Sequence, residues 1–343
     1  MSTVLQRLEA TRLGPWALGL LVLALAAGAL GIGQFPIAPG QIGRVLAAWL
    51  LGSPSDVPEI VSTVILQVRL PRIAAALVVG AALAAAGAAY QGLFRNPLVS
   101  PDILGVSAGA GLGAVLGIFL SLPVLGIQLL AFVFGIATVS LVYLVSSAVR
   151  GREPVLVLVL AGVVLGTLAG SMISLLKVLA DPYDQLPAIT FWLLGSLAAT
   201  TPSDVLGALP LVLLGLVPLH LLRWRMNLMS LGDEEAVALG VDARRLRLLF
   251  VAAATMMTAA VVAISGIIGW VGLIMPHIAR MLVGPNFDRL LPATMLLGAG
   301  YLLIVDTLAR TIAVTEVPLG ILTAFLGAPF FLWLLARGRE GWR

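Results

Sequence analysis

The 343-residue sequence predicts an all-α polytopic membrane protein: ten transmembrane helices with the N- and C-termini cytoplasmic. Three observations carry this. First, 60% of residues are hydrophobic and 10% charged, where an ordinary soluble domain has about 45–50% and about 25%. With a mean hydropathy of +1.11, too few charged side chains exist to cover a water-facing surface. A soluble globular domain is excluded, and so are disorder and a coiled coil, which need polar, charged sequence. Second, ten apolar runs bounded by charge or by Pro/Gly approach the roughly 20 residues that cross a hydrocarbon core about 30 Å thick. Third, basic residues segregate. With the N-terminus inside, the cytoplasmic side collects Arg7, Arg12, Arg95, Arg150, Arg152, Arg223, Arg225, Arg244, Arg245, Arg247, Arg280, Arg289, Arg337, Arg339 and Arg343. The outer side receives Arg44, Arg69, Arg72, Lys177 and Arg310. That bias follows the positive-inside rule, and an odd span count would scramble it.

The spans are expected at 15–33, 71–93, 101–120, 123–149, 155–179, 205–222, 248–268, 270–283, 290–308 and 318–335. The first has a basic flank in Arg7 and Arg12, yet its apolar stretch exceeds a usual signal h-region, so it is expected to span. Residues 189–197 read as an extra short helix at one membrane face, and 39–51 as an amphipathic segment too short to cross. The whole chain, 1–343, is expected to form a single transmembrane domain. Its cytoplasmic parts are 1–14, a loop at 229–247 and 336–343.

Several chemistries are excluded by composition. Without cysteine there is no disulfide, thiol nucleophile or Cys-based metal site. Two histidines, His220 and His277, do not make a His-rich metal site. Lys177 is the lone lysine, is followed by Val178 and has no Gly-rich loop before it. The chain therefore lacks a P-loop, and any ATP-driven step must come from another chain. Intramembrane acids are scarce. Asp306 is the clearest, with Arg310 one turn on and able to pair with it. An ion-coupled secondary transporter normally keeps acids or His on its path, which argues against that alternative. No residue set supports a membrane enzyme. His277, after Pro276, reads as a helix-end hydrogen-bonding residue.

Gly105, Gly109, Gly113 and Gly117 repeat every four residues, as do Gly162, Gly166 and Gly170. Each row lies on one helix face and permits close helix packing; a smooth conduit wall is the alternative. Arg69 and Arg72 depart from the positive-inside trend and from the dipole preference of a span beginning at Pro71. Interfacial snorkelling explains them; so does an anionic partner on the outer face. In the longest cytoplasmic loop, Gly232 precedes Asp233, Glu234 and Glu235, acids suited to a first helical turn. Ala236 to Leu239 continue the helix and Gly240 stops it. Val237 and Leu239 are apolar yet outside the bilayer, which suits docking into a partner or a plain connector.

Taken in order, seven stretches resemble one family: Val68-Arg-Leu-Pro-Arg72, Gly92-Leu-Phe-Arg-Asn-Pro-Leu98, Pro101-Asp-Ile-Leu-Gly-Val-Ser-Ala-Gly-Ala110, Leu160-Ala-Gly162, Leu231-Gly232 to Leu239-Gly240, Gly269-Trp-Val-Gly-Leu-Ile-Met-Pro-His-Ile-Ala-Arg280 and Pro318-Leu-Gly-Ile-Leu-Thr-Ala-Phe-Leu-Gly-Ala-Pro329. The chain resembles the FecCD-type permeases of ABC importers for iron–siderophore, haem and cobalamin. The resemblance implies a homodimer in the bacterial inner membrane, two ABC ATPase subunits below it and a periplasmic substrate-binding protein above. ATP and Mg would reside on the ATPase, and this chain would bind no cofactor, metal or nucleic acid. It further implies that Arg69, Arg72 and Arg310 dock the binding protein. The helix Gly232, Asp233, Glu234, Glu235, Ala236, Val237, Leu239, Gly240 would couple to the ATPase, and Asn96 and Leu98 would form a cytoplasmic gate. Asn96-Pro97 also suits plain turn initiation. A second constriction falls on Arg152, Glu153, Pro154 and Val155, which depart from the small hydroxyl residues of the cobalamin type. The expected cargo is an iron chelate, haem or a ferric siderophore, with cobalamin or molybdate as alternatives. Tyr90, Met172, Lys177, Tyr183 and Met256 are candidates to touch it, or else pack and anchor at the interface.

Overall fold

The computed structural model describes residues 15–54, 56–149 and 154–337, and among these residues every regular element is helical. Ten helices correspond to the ten expected spans: α1 (Pro15–Gly31), α3 (Glu59–Leu93), α4 (Val106–Phe119), α5 (Val124–Ala148), α6 (Pro154–Leu179), α8 (Pro202–Leu221), α11 (Ala243–Ser265), α12 (Val271–Val283), α13 (Phe287–Ala309) and α14 (Leu319–Arg337). Of these, α3, α5, α6, α8, α11 and α13 are each long and apolar enough to cross a bilayer. Between them lie α2 (Pro39–Leu51), α7 (Gln185–Leu194), α9 (Arg223–Met229) and α10 (Asp233–Ala238). The amphipathic 39–51 segment is thus helical. The extra short helix begins four residues before its expected start and stops at Gly195, whose φ of +73° suits glycine.

Two layers follow from composition. The most apolar windows of α3, α11 and α13 are 78%, 72% and 61% buried, while those of α5, α6 and α8 are each 22% buried. The first three form the core, and the second three present Leu and Val outward. The core helices are rich in small residues, so their backbones meet closely. A side chain at Gly80 would overlap the Gly298 carbonyl of α13, and one at Gly87 would overlap Gly272 of α12. The Gly109–Gly113–Gly117 row packs on α5 against Thr138, Leu130 and Ile127. That position excludes the conduit-wall reading for this row. In the second row, Gly162 meets Ile103 and Leu104, whereas Gly170 faces open space.

Two expected boundaries are corrected. The second span does not begin at Pro71; its helix runs 35 residues from Glu59. A π segment at Val64–Arg69 makes this possible. The Leu70 amide reaches back five residues to the Ile65 carbonyl, and Pro71 brings no amide that would need an acceptor. Arg69 and Arg72 therefore sit inside a helix, and the dipole argument made for them falls. The third span is divided. A short 3-10 turn at Pro101–Leu104 ends at Gly105, φ +77°, before α4 starts. Elsewhere the sequence signals operate directly: Thr201 and Asp204 form a reciprocal capping box at the start of α8.

Candidate functional site

The outer ends of α1, α3 and α13 meet in one charged cluster. Arg69, Arg72 and Arg310 are only 4%, 5% and 7% exposed. Asp306 is fully buried and receives both of its short contacts from Arg72 Nε, at 2.8 and 3.1 Å. The expected i, i+4 partner Arg310 stands farther off, at 3.8 Å. Arg72 Nη1 also holds Glu316 Oε1 at 2.7 Å, and the Glu316 side chain is 38% exposed. Arg69 donates to the carbonyl oxygens of Leu30 and Phe35, and Arg310 Nη2 donates to Ala29 O at 2.8 Å. The carbonyls at the end of α1, which the helix cannot satisfy itself, are therefore capped by cations. The snorkelling explanation does not hold for these groups, because all three turn inward. Three guanidinium groups face two carboxylates, leaving an excess of one positive charge.

Glu316 belongs to the outer segment between α13 and α14, where Ile312 and Val314 are 63% and 94% exposed. Gln34 Nε2 ties this segment to the end of α1 through the carbonyls of Ala313 and Val314, at 3.2 and 3.1 Å. The cluster thus lies directly beneath an exposed apolar ledge.

The opposite face carries the 229–247 loop. Gly232 has φ +140° and opens α10; Gly240 has φ +82° and follows its end. Ala236 is buried beneath the helix, while Val237 and Leu239 are 60% and 57% exposed. Glu235 is exposed as well; the side chains of Asp233 and Glu234 lie outside the described residues. Asp242 accepts from the Arg245 amide at 3.0 Å and caps α11. The α9 segment, missed in the sequence, follows α8 directly and buries Met226 and Met229. Its first residue, Arg223, pairs with Asp288 at 2.8 Å and contacts the ring of His220.

Asn96 and Leu98 stand at the cytoplasmic end of α3. Asn96 Oδ1 accepts from the Leu98 amide at 2.9 Å, the turn-forming arrangement expected of Asn-Pro. Leu98 is 43% exposed. Of the second constriction, Arg152 and Glu153 lie outside the described residues. His277 is not at a helix end; it lies within α12, half-buried. Among the cargo candidates, Tyr90 is buried, bonded to Thr255 Oγ1 at 3.0 Å and stacked on Phe94. Packing is its role here. Met172 and Tyr183 are exposed, and Lys177 and Met256 are half-buried.

A helical bundle with a small-residue core, a lipid-facing apolar jacket and distinct polar structures at its two faces defines a multi-pass membrane transport permease. Residues 20–337 match the FecCD transport family, and the chain belongs to that family of the inner membrane. It is 44% identical over 326 residues to the molybdate import system permease protein MolB of Haemophilus influenzae, covering 95% of this chain and 96% of that one. It is 45% identical over 278 residues to a probable iron chelatin transport system permease protein of Helicobacter pylori, covering 81% and 84%. A solved chain described as a metal-chelate type ABC transporter in an inward-facing conformation superposes with a TM-score of 0.85 at 42% identity, covering 94% and 98%.

Proposed function

We propose that this chain is the permease of a binding-protein-dependent ABC importer that moves an iron chelate, haem or a ferric siderophore, into the cytoplasm. Two copies form the pathway, two separate ATPase subunits hydrolyse Mg-ATP beneath it, and a periplasmic protein delivers the cargo. The observation that carries the reading is α10. It presents Val237, and its C-cap presents Leu239, to water on the arginine-rich face, in a chain with no nucleotide loop of its own. Apolar side chains held outside the bilayer on a short helix suit insertion into a partner's cleft. Movement of α10 would be passed to the core through buried Ala236. A second reading, molybdate import, is favoured by the similarity to MolB along nearly the whole chain.

Proteoliposomes holding the chain, its ATPase and its binding protein test both readings. ATP-dependent uptake of labelled ferric siderophore or haem is the expected result. Uptake of molybdate alone selects the second reading. Uptake driven by a proton gradient without the ATPase overturns both.

At the outer face, the exposed ledge of Ile312, Val314 and Glu316 forms the docking surface, with the arginines acting from below. Glu316 occupies on Arg72 the position that a carboxylate of the binding protein would take. Docking then exchanges one acid for another, and the excess positive charge of the cluster favours the newcomer. The substitution Glu316→Gln removes the resident competitor and should tighten docking about fivefold, the worth of a partly exposed pair near 1 kcal/mol. Surface plasmon resonance with the binding protein over nanodisc-held permease reads this directly. Unchanged or weakened docking would remove the exchange.

A further inference from the structure

A second polar site lies at the cytoplasmic end, apart from both surfaces assigned above. A cavity of about 340 Å³ opens between the end of α3, α9, α12 and the start of α13. Its polar lining includes Gln91, Arg95, Asn96, Asn227, His277 and Arg280, and no carboxylate is among the described lining residues. We propose that this cavity binds the carboxylate or tetrahedral oxyanion of a small soluble molecule at the cytoplasmic mouth of the protein.

The charge balance is the first argument. Arg280 is half-buried, and its hydrogen bond is to a neutral amide, Gln91 Oε1, at 3.2 Å. Gln91 is itself buried and anchored to the Leu273 carbonyl at 3.1 Å, so it orients Arg280 without neutralising it. A guanidinium withdrawn from water needs an anion, since desolvation is otherwise uncompensated. Among the described residues Arg280 forms no ion pair. Two acids lie outside the cavity lining: Asp288 is held by Arg223 at 2.8 Å, and the Glu235 carboxylate borders Gly232, where the Arg95 guanidinium also approaches.

Arg95 supplies the second argument. It is exposed and has φ +49°, a conformation costing a non-glycine residue about 1 kcal/mol or more. A glycine would close the turn more cheaply, so the guanidinium is what this residue adds. It brings a second, exposed cation to the lining of the cavity that holds Arg280. Size is the third. The volume falls at the lower end of the range for small-molecule sites, and a concave wall built from several segments suits a small ligand better than a protruding protein side chain. The bidentate donor geometry of guanidinium matches both carboxylate and oxyanion.

The site stands whether or not the cargo assignment above holds, because the test needs no transport. Full-length chain purified in a neutral detergent is equilibrated at low chloride with radiolabelled citrate and, separately, with radiolabelled molybdate. Saturable binding near one site per chain is expected for at least one probe. Arg280→Gln should weaken it about tenfold or more, the worth of a charged hydrogen bond. Arg95→Gln, at an exposed position that leaves folding intact, should weaken it several-fold, while Arg244→Gln should leave it unchanged. No saturable binding, or binding indifferent to both Arg280→Gln and Arg95→Gln, overturns the site. Loss of anion binding in nanodiscs containing phosphatidylglycerol, but not in phosphatidylcholine alone, would assign the cavity to a lipid headgroup and overturn the soluble ligand.

Discussion

The substitution Asp306→Ala should lower the thermal midpoint of the detergent-purified chain by roughly 5–10 °C and reduce its folded yield. Asp306 is fully buried and is the shared counter-charge of Arg72 and Arg310. Removing one partner of a buried ionic group leaves the other charged in a low-dielectric interior, typically at a cost of about 3–5 kcal/mol. Glu316 would still hold Arg72, but Arg310 would keep only neutral acceptors, the Ala29 carbonyl and the Thr307 hydroxyl. Those contacts join the ends of α1 and α13, so loss should appear first as detachment of α1. The exposed pair Arg44–Asp56, at 2.9 Å with side chains 54% and 69% exposed, is the control. Asp56→Ala should change stability by less than about 1 kcal/mol. A melting curve of Asp306→Ala superimposable on that of the unaltered protein would show that the cluster does not hold the helix ends together.

The second large effect lies on the other face. The paired substitution Val237→Asp with Leu239→Asp should leave the chain folded and abolish stable association with the ATPase. Both side chains project into water in the isolated chain, so replacing them forfeits no packing in the fold. On docking, each would surrender about 1.5–3 kcal/mol of apolar burial. Together the losses correspond to two or more orders of magnitude in Kd. Co-purification of tagged ATPase with nanodisc-held permease, with thermal unfolding as the folding check, reads both halves. Association retained at unaltered strength would move the coupling surface away from α10.

Apolar runs bounded by charge or Pro/Gly and arginine segregation suffice to read ten spans and their orientation, because lipid imposes a length on every segment that crosses it. The short helix of the 229–247 loop is equally legible. Glycines at 232 and 240 and acids at 233–235 are local signals, and the helix they delimit forms where they place it. The start of the second span is not legible at Pro71, since proline suits a first helical turn but here follows a π segment that carries the helix on from Glu59. The anion cavity was invisible for another reason. Gln91, Asn227 and Arg280 are ordinary residues on three separate helices, and no spacing relates them.

The membrane class, the span count and the family motifs are properties of the sequence itself, each carried by neighbours along the chain. Tertiary structure alone decided the fate of the outer arginines. Arg72 and Asp306 are separated by 234 positions and meet at 2.8 Å. A charge's meaning depends on the dielectric around it and the partner it finds, and both are set when distant helices pack.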